Sequence, residues 1–271
     1  MEQPTNTVGA DTTGAFAALA RLYGDAALEH IKRSHCCVVG IGGVGSWVAE
    51  TLARSAVGSI TIIDHDDIAP SNINRQVHAD TGTVDKSKVD VMAARIRAIN
   101  PHCNCHAIDD MLVPNNIEKY IDQRYDYVID AIDTVRSKVA LIYHCRRNAI
   151  PVITVGGAGG RTDPTRVAIA DLNKTNNDSL AAKVRKRLRA QHGWTRNPAR
   201  RFGVECVFSD QQPMFPQGDG TVGQSKPVTA GTTLDCNTGY GSFIGVTAAY
   251  GLVAASRVLE KLAAKAGDSQ H

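Results

Sequence analysis

The chain has 271 residues, of which 43% are apolar and 21% are charged, and its net charge is +3. This composition is typical of a folded globular protein and excludes a disordered or collagen-like chain. Seven cysteines, an odd number, and a polar N-terminus without the basic flank and apolar run of a signal peptide predict reduced thiols in a cytoplasmic protein.

Short apolar runs alternate with stretches of helical periodicity along the chain. Predicted helices cover 16–32 (with a break near Gly24), 42–55, 84–99, 134–148, 178–190 and 239–264. Predicted strands cover 35–41, 59–63, 103–108, 126–132, 151–155 and 204–209. The alternation predicts an α/β fold with a Rossmann-like, doubly wound, mainly parallel sheet and helices on both faces. A basic helical and loop insertion and an apolar C-terminal helix follow.

We expect three regions of unequal size. Residues 1–15 are predicted to be a disordered N-terminus, and residues 16–160 a nucleotide-binding domain. Residues 161–271 are predicted to supply a basic segment, loops and a packing helix to the same fold.

A glycine-rich sequence, VVGIGGVGS at 38–46, joins the first predicted strand to the next helix. Gly40, Gly42 and Gly45 fit the pattern G-x-G-x-x-G. Glycines at this place permit a tight turn and let backbone N–H groups approach a phosphate at the helix N-terminus. The motif alone most often indicates a dinucleotide. Asp64, at the end of the second strand, suits the ribose of either NAD or ATP.

Three charged residues further along favour ATP. Arg75 lies in SNINRQ at 71–76, Lys88 follows on a predicted helix, and Asp133 comes just after the strand DYVIDAI. Adenylyl transfer needs cations beside the phosphates, whereas hydride transfer does not, and Asp133 is a candidate ligand for Mg²⁺. Each residue has an ordinary alternative: a loop cap for Asp64, a salt bridge for Arg75, an exposed helix position for Lys88 and a helix N-cap for Asp133.

Taken together, these motifs resemble the ubiquitin-activating superfamily of adenylating enzymes, whose bacterial members include ThiF, MoeB and HesA. The resemblance rests on G-x-G-G-x-G-S, D-x-D-x-I…S-N-x-N-R-Q, Lys88 and D-A-I-D at 130–133. It implies that ATP is bound by a set of matching residues: Gly43, Asp64, Asn72, Arg75, Lys88 and Asp133. It also implies a homodimer in which Arg21, in the motif RLYG, completes the site of the partner subunit.

Within the superfamily, the sequence is most similar to tRNA-modifying members, through ARLYGDAAL, YDYVIDAIDTVRSK and CRRNAIPVITVGGAGGRTDPT. This similarity implies ATP-dependent dehydration of N6-threonylcarbamoyladenosine beside the anticodon, through adenylation of the threonyl carboxylate. It further suggests a cysteine desulfurase or sulfur-acceptor partner, and we consider a monovalent cation near GGAGG at 156–160. Because the chain contains no C-x-x-C pair, we expect no structural zinc, which argues against an activator of small proteins.

The segment 183–201 contains eight basic residues and no acidic residue, and subtracting these charges from +3 leaves −5 for the rest of the chain. Such asymmetry predicts a polyanionic partner, which the resemblance implies to be tRNA. The candidate phosphate-binding residues are Lys183, Arg185, Lys186, Arg189, Arg196 and Arg200. Trp194 and His192 are candidates to stack on an unpaired base. A solvated helix face is the alternative.

Two cysteines in the loop-rich part, Cys206 and Cys236, are candidates for a reactive thiol. The C-terminal helix lacks charge over 240–256, the lower limit for a membrane span. Its glycines favour close helix packing, so we predict a core or dimer-interface helix without stable membrane insertion; a peripheral membrane contact is the alternative. Three other functions stay open: activation of a sulfur-carrier or ubiquitin-like protein, NAD-dependent oxidoreduction and non-catalytic RNA binding.

Overall fold

The computed structural model describes residues 14–217, 219–225 and 241–268. Two short helices come first, α1 (Ala17–Tyr23) and α2 (Asp25–Arg33), and Gly24 separates them with a φ of +89°. Glycine adopts this left-handed backbone region without steric cost. The predicted break in the first helix is therefore confirmed.

Seven strands form one sheet, and their order follows from the register of their pairing. The strands are β1 (His35–Val39), β2 (Ser59–Asp64), β3 (Asn104–Asp109), β4 (Tyr127–Asp130), β5 (Val152–Val155), β6 (Val167–Asp171) and β7 (Glu205–Ser209). Their order is β3-β2-β1-β4-β5-β7-β6, all parallel except β6, which is antiparallel to β7. The order reverses between β1 and β4, and ligands of such sheets bind beyond the carboxyl ends at that point.

Helices cover both faces of the sheet, which confirms the predicted Rossmann-like α/β class. The remaining helices are α3 (Gly45–Arg54), α4 (Lys88–Ile99), α5 (Ile117–Tyr120), α6 (Val135–Arg147), α7 (Ser179–His192) and α8 (Ile244–Asp268). Alternate residues of β1 enter different cores, as the pleat of a strand requires. Cys36 and Val38 pack with α3, α4 and α8, whereas Cys37 and Val39 pack with α6 and α7.

Helix α8 lies in the core, as its composition predicts. A Cβ atom on Gly251 would stand 2.6 Å from Trp47 Cβ and 2.7 Å from the Val44 carbonyl oxygen, so only glycine allows this contact between α8 and α3. Within the described ranges, none of the helices combines the length and the hydrophobicity that a membrane span requires.

The structure differs from the predicted elements mainly at their ends and in a few short elements that were not predicted. The helix expected from residue 84 begins at Lys88. The single turn α5 and the edge strand β6 were not predicted, because the partner of β6 lies more than thirty residues away in β7. β6 and β7 complete the same sheet as β1 to β5. The division of the chain at residue 160 stays a prediction. A small hairpin, β8 (Phe215–Pro216) and β9 (Val222–Gly223), follows β7.

Candidate nucleotide site and basic surface

The glycine loop follows β1 at the carboxyl edge of the sheet. Gly40 has a φ of +89°, and a Cβ atom there would lie 2.9 Å from the Ala131 carbonyl oxygen. A Cβ atom on Gly45 would lie 1.8 Å from the Gly40 carbonyl oxygen. The loop therefore packs against the end of β4 and turns at once into α3. At Gly42, by contrast, an added Cβ would approach only Gln76 Nε2, at 4.0 Å, so this part of the loop is open to a ligand.

Asp64 joins the end of β2 to the glycine loop. Its Oδ2 accepts a hydrogen bond of 2.5 Å from the Ile41 N–H, and its Oδ1 accepts one of 2.9 Å from the Asp66 N–H. The loop-capping role considered for this residue is thus present. A carboxylate has about four lone-pair positions, so the same two oxygens retain the capacity to accept ribose hydroxyl groups.

Arg75 lies against the glycine loop, because a Cβ atom on Gly43 would be 3.3 Å from its side-chain carbons. Its Nη1 donates to the Ser71 carbonyl oxygen at 2.6 Å and to Asn74 Oδ1 at 3.0 Å. In the described part of the chain no carboxylate forms an ion pair with this guanidinium. The salt-bridge alternative is therefore not realised, and the charge of Arg75 is available to a phosphate.

Asn72 is buried in the same segment, and its Oδ1 accepts a hydrogen bond of 3.0 Å from the Ala69 N–H. This bond closes the turn that precedes Arg75. The indole N–H of Trp47, on α3, donates to the Arg75 carbonyl oxygen at 3.0 Å. Asn72 therefore stabilises the turn before Arg75 through its Oδ1 atom, and its Nδ2 atom is the group for the predicted contact with ATP.

Lys88 begins α4 and has a largely buried side chain. Its Nζ lies 2.6 Å from Asp66 Oδ2, on a carboxylate that is 52% exposed. Asp64, His65 and Asp66 bring three potential metal-ligand atoms within 4.8 Å of one another. However, the Asp64 carboxylate already binds the glycine loop, and the Asp66 carboxylate binds Lys88. His78 is also buried nearby. Its burial, and to a smaller extent the positive charges of Lys88 and Arg95, lower its pKa to about 4, so the ring is neutral near pH 7.

Two aspartates at the end of β4 have opposite environments. Asp130 is fully buried, 3.0 Å from Lys138 Nζ, and accepts a hydrogen bond of 2.6 Å from Thr154 Oγ1. Asp133 is exposed, and the N-cap of α6 is Thr134 rather than Asp133. The capping alternative is therefore not realised, and the Asp133 carboxylate is left for another role. The Asp130–Lys138 pair was missed, although an acid that ends an apolar strand is a visible signal.

The start of α8 contacts the segment that carries Arg75. The Ile244 N–H donates to the Asn74 carbonyl oxygen at 3.1 Å, and Asn74 Nδ2 donates to the Ser242 carbonyl oxygen at 2.7 Å. Arg21, the residue predicted to act in the partner subunit, is exposed on α1. That helix contains no buried residue, and the neighbouring Leu22 is 70% exposed.

The basic helix α7 divides its cations between two environments. Val184 and Leu188 are buried on its inner face, so Lys183, Lys186 and Arg187 point to solvent. Arg187, which was not among the predicted residues, is thus one of the exposed cations. Further exposed cations, Arg196 and Arg200, follow the helix.

Arg185 and Arg189 are half-buried and bind within the protein, which differs from the expectation that they face a nucleic acid. The guanidinium of Arg185 donates to Thr175 Oγ1, and Arg189 Nη2 donates to Asn173 Oδ1 at 2.6 Å. They follow the buried Val184 and Leu188 directly, so they lie at the border of the inner face. We therefore assign these two side chains a structural role, and their contact with tRNA stays a prediction.

The two aromatic rings expected to stack on a base each pack on another ring. Trp194 meets Phe202 edge-on, with centroids 4.7 Å apart, and His192 stacks on Tyr143 at 3.7 Å. One face of the His192 ring is therefore covered, and burial lowers the pKa of this histidine. Their role in binding a base stays a prediction.

The environment of Cys206 does not suit a nucleophile. The residue is 0% exposed in β7, and burial raises the pKa of its thiol well above the usual range. A reactive cysteine needs an accessible, ionisable thiol. The six cysteines in the described part of the chain are all buried and free. Cys236 lies outside the described residues.

Comparison with known proteins identifies relatives over nearly the whole chain. The model of the ThiF family matches residues 16–270. The tRNA threonylcarbamoyladenosine dehydratase of Escherichia coli (strain K12) is 51% identical over 93% of this chain and 94% of its own length. The protein of the same name from Haemophilus influenzae is 48% identical over 92% of this chain and 94% of its own length.

Solved structures agree with these sequence matches. A structure of TcdA (CsdL) superposes with a TM-score of 0.87 at 49% identity, over 94% of this chain and 96% of that chain. A crystal structure of the E. coli tRNA N6-threonylcarbamoyladenosine dehydratase in complex with ATP superposes with a TM-score of 0.82 at 47% identity, with the same coverage.

We expect the Cys206 thiol to be inert in the folded protein, because it is buried and its pKa is raised. Wild type and Cys206→Ala should show the same number of thiols that react rapidly with a disulfide reagent under native conditions. After denaturation the variant should show one thiol fewer. A native difference of one rapidly reacting thiol would contradict this assignment.

Proposed function

The chain belongs to the ThiF family, and we propose that it is an ATP-dependent dehydratase that cyclises N6-threonylcarbamoyladenosine in tRNA. The observation that carries this proposal is the 51% identity with a dehydratase of that name across more than nine-tenths of both chains. The site agrees with it, because the glycine loop, Arg75, Lys88 and Asp133 all lie at the carboxyl edge of the sheet.

The chemistry requires activation of a carboxylate. The threonyl carboxylate of the modified base is an anion and a poor electrophile. Its attack on the α-phosphate of ATP releases pyrophosphate and forms an acyl adenylate. The carbamoyl oxygen of the same nucleoside then attacks the acyl carbon and expels AMP, which closes a ring. The nucleoside loses one water in total, and its oxygen leaves in AMP.

This reaction needs no nucleophile from the enzyme, because the substrate carries its own. The protein must instead bind ATP and stabilise charge on the phosphates. We assign the phosphates to the glycine loop and the N-terminus of α3, and the ribose to Asp64. Arg75 and Lys88 stabilise the charge that develops on the phosphates, Lys88 by exchanging its contact with Asp66 for one with a phosphate. The ATP complex of the similar E. coli enzyme supports an ATP site here.

The Asp133 carboxylate fits Mg²⁺, because it is an exposed oxygen donor that does not cap α6. Mg²⁺ is usually bound by one or two carboxylates together with substrate phosphates and water. When bound, the ion would neutralise phosphate charge during adenylation. A monovalent cation near 156–160 and a cysteine desulfurase or sulfur-acceptor partner stay predictions from the resemblance.

A homodimer is the assembly that we propose, with Arg21 of each subunit completing the site of the other. Two features of the single chain support it. Helix α1 has no buried residue, and exposed apolar side chains lie at the start of α8, where Phe243 is 42% and Ile244 is 47% exposed. A second subunit that covers these surfaces would remove apolar area from water.

The tRNA surface in this proposal consists of the exposed cations of α7 and the following loop: Lys183, Lys186, Arg187, Arg196 and Arg200. Cations that meet phosphates release condensed counterions, so such binding weakens as salt increases. Arg185 and Arg189 support this surface from within, by fixing α7 to the preceding loop.

The decisive test is nucleoside mass spectrometry of tRNA after incubation with the protein, Mg²⁺ and ATP. Threonylcarbamoyladenosine should lose one water, ~18 Da from the stoichiometry of the cyclisation, and only when ATP is present. An unchanged nucleoside together with tRNA-independent ATP–pyrophosphate exchange would indicate a protein activator. Binding of tRNA without any release of pyrophosphate would indicate an RNA-binding adaptor.

Removal of a charged group beside the phosphates should lower turnover without affecting tRNA binding. We expect Asp133→Ala and Arg75→Ala each to lower kcat on the order of 10²–10³-fold, while the Kd for tRNA changes less than about twofold because the tRNA surface is intact. Single-turnover cyclisation and filter binding measure the two quantities. Equal losses of turnover and tRNA affinity would contradict the assignment.

The salt dependence of tRNA binding should distinguish the exposed cations of α7 from an exposed cation elsewhere on the protein. A triple variant, Lys183→Gln, Lys186→Gln and Arg187→Gln, should bind tRNA more weakly. The steepness of log K against log salt should fall by about one for every phosphate that the variant no longer binds. Lys32→Gln, an exposed lysine on α2, serves as the control and should leave the slope unchanged. An unchanged slope in the triple variant would place the tRNA on another surface.

A further inference from the structure

The loop that follows β5 lies at the same edge of the sheet as the nucleotide site. β5 is the neighbour of β4, which ends at Asp130, and both strands run in the same direction. The loop contains the sequence GGAGG at 156–160. Its first N–H, from Gly156, donates to the Val207 carbonyl oxygen at 2.8 Å and so extends the pairing with β7.

A single buried carboxylate binds this loop and the start of the basic helix at once. Asp178 Oδ2 accepts a hydrogen bond of 3.0 Å from the Gly157 N–H, and its Oδ1 caps α7 by accepting one of 2.9 Å from the Ala181 N–H. The carboxylate occupies the space of a side chain at Gly156, where a Cβ atom would lie 1.9 Å from Oδ2. Position 156 must therefore be glycine to leave room for the Asp178 carboxylate, and this carboxylate binds both the loop and the N-terminus of α7.

A buried arginine completes the connection. Arg161 is 4% exposed, and its guanidinium lies 3.8 Å from Asp178 Oδ2. It donates to the carbonyl oxygens of Gly157 and of Asn177, the latter at 2.9 Å. The same guanidinium thus binds the loop beside the nucleotide site and the residue that precedes the N-cap of α7. Buried charges of this kind are costly unless they are paired and hydrogen-bonded, so the pair fixes the relative placement of the two elements.

We propose that Asp178 and Arg161 are positioning residues for catalysis. They set the direction of α7, and hence of a tRNA bound to its exposed cations, relative to the site where ATP reacts. This inference rests on the proposed function. Its physical basis is that a misplacement of about 1 Å between reacting groups can lower a rate on the order of 10²-fold.

The test compares kcat with binding in variants that loosen this connection. Asp178→Asn removes the charge, and Arg161→Lys keeps a charge but removes the fork of donors. We expect each to lower kcat for the cyclisation at least about tenfold. The Kd values for ATP and for tRNA should change less than about threefold. All rates are measured below the melting temperature of the least stable variant.

A matched control separates positioning from a general loss of stability. Glu205→Gln disrupts another carboxylate–arginine pair, with Arg257 at 2.6 Å, which joins the amino end of β7 to α8 at the edge of the sheet opposite the nucleotide site. This variant should melt at a lower temperature yet retain kcat within about twofold. Gly156→Ala, whose Cβ would displace the Asp178 carboxylate, should reproduce the kcat loss and provides the test if Asp178→Asn does not fold.

Each outcome decides between the alternatives. Wild-type kcat within about twofold in Arg161→Lys and Gly156→Ala would overturn the inference, and so would an equal loss of kcat in Glu205→Gln. A loss of tRNA affinity that accounts for the whole loss of rate would assign the pair to binding and also overturn it. If wild-type protein does not cyclise the nucleoside at all, the proposed function fails, which the wild-type reaction reveals independently of every variant.

Discussion

At the point where the strand order reverses, two glycines allow the chain between β1 and α3 to touch the end of β4. A side chain at Gly40 would meet the Ala131 carbonyl oxygen, and one at Gly45 would meet the Gly40 carbonyl oxygen at 1.8 Å. This contact places the N-terminus of α3 beside the turn that carries Asp133. Because the turn, the glycine loop and the end of β2 are joined in this way, the candidate phosphate-binding groups lie at one edge of the sheet.

The charged residues at this edge fall into two groups: buried ones that stabilise the fold and exposed ones that we propose to act on ATP. Asp130 and Lys138 are both buried, and breaking such a pair commonly costs about 3–5 kcal/mol because one charge is left without a partner. Asp133, three residues from Asp130, is exposed instead. Asp64 binds the glycine loop and still has lone pairs for the proposed contact with a ribose. The same division recurs on α7, where Arg185 and Arg189 support the helix and Lys183, Lys186 and Arg187 face solvent.

The distribution of thiols agrees with a reaction in which the substrate supplies the nucleophile. The six described cysteines are buried in the two cores, where cysteine packs as a small apolar side chain. Catalysis in the proposed reaction instead depends on placing a tRNA-bound carboxylate against ATP. Asp178 and Arg161 contact both the loop at the edge of the sheet and α7, and so connect the two surfaces proposed to bind these substrates.

Local patterns were sufficient to predict the features that arise within a few residues of chain. Apolar runs, helical spacing and the glycine motif predicted the alternation of strands and helices, the break at Gly24 and the position of the glycine loop, because strand burial and backbone sterics act over short distances. The same motifs indicated the family and the candidate residues Arg75, Lys88 and Asp133. Which charges are free and which are bound, in contrast, depends on the packing of distant segments. Arg185 and Arg189 differ from the exposed Arg187 through their contacts with Thr175, Asn173 and the inner face of α7. Likewise, β6, the contact of α8 with Asn74 and the Asp178–Arg161 pair join residues far apart in the chain, which no local pattern brings together.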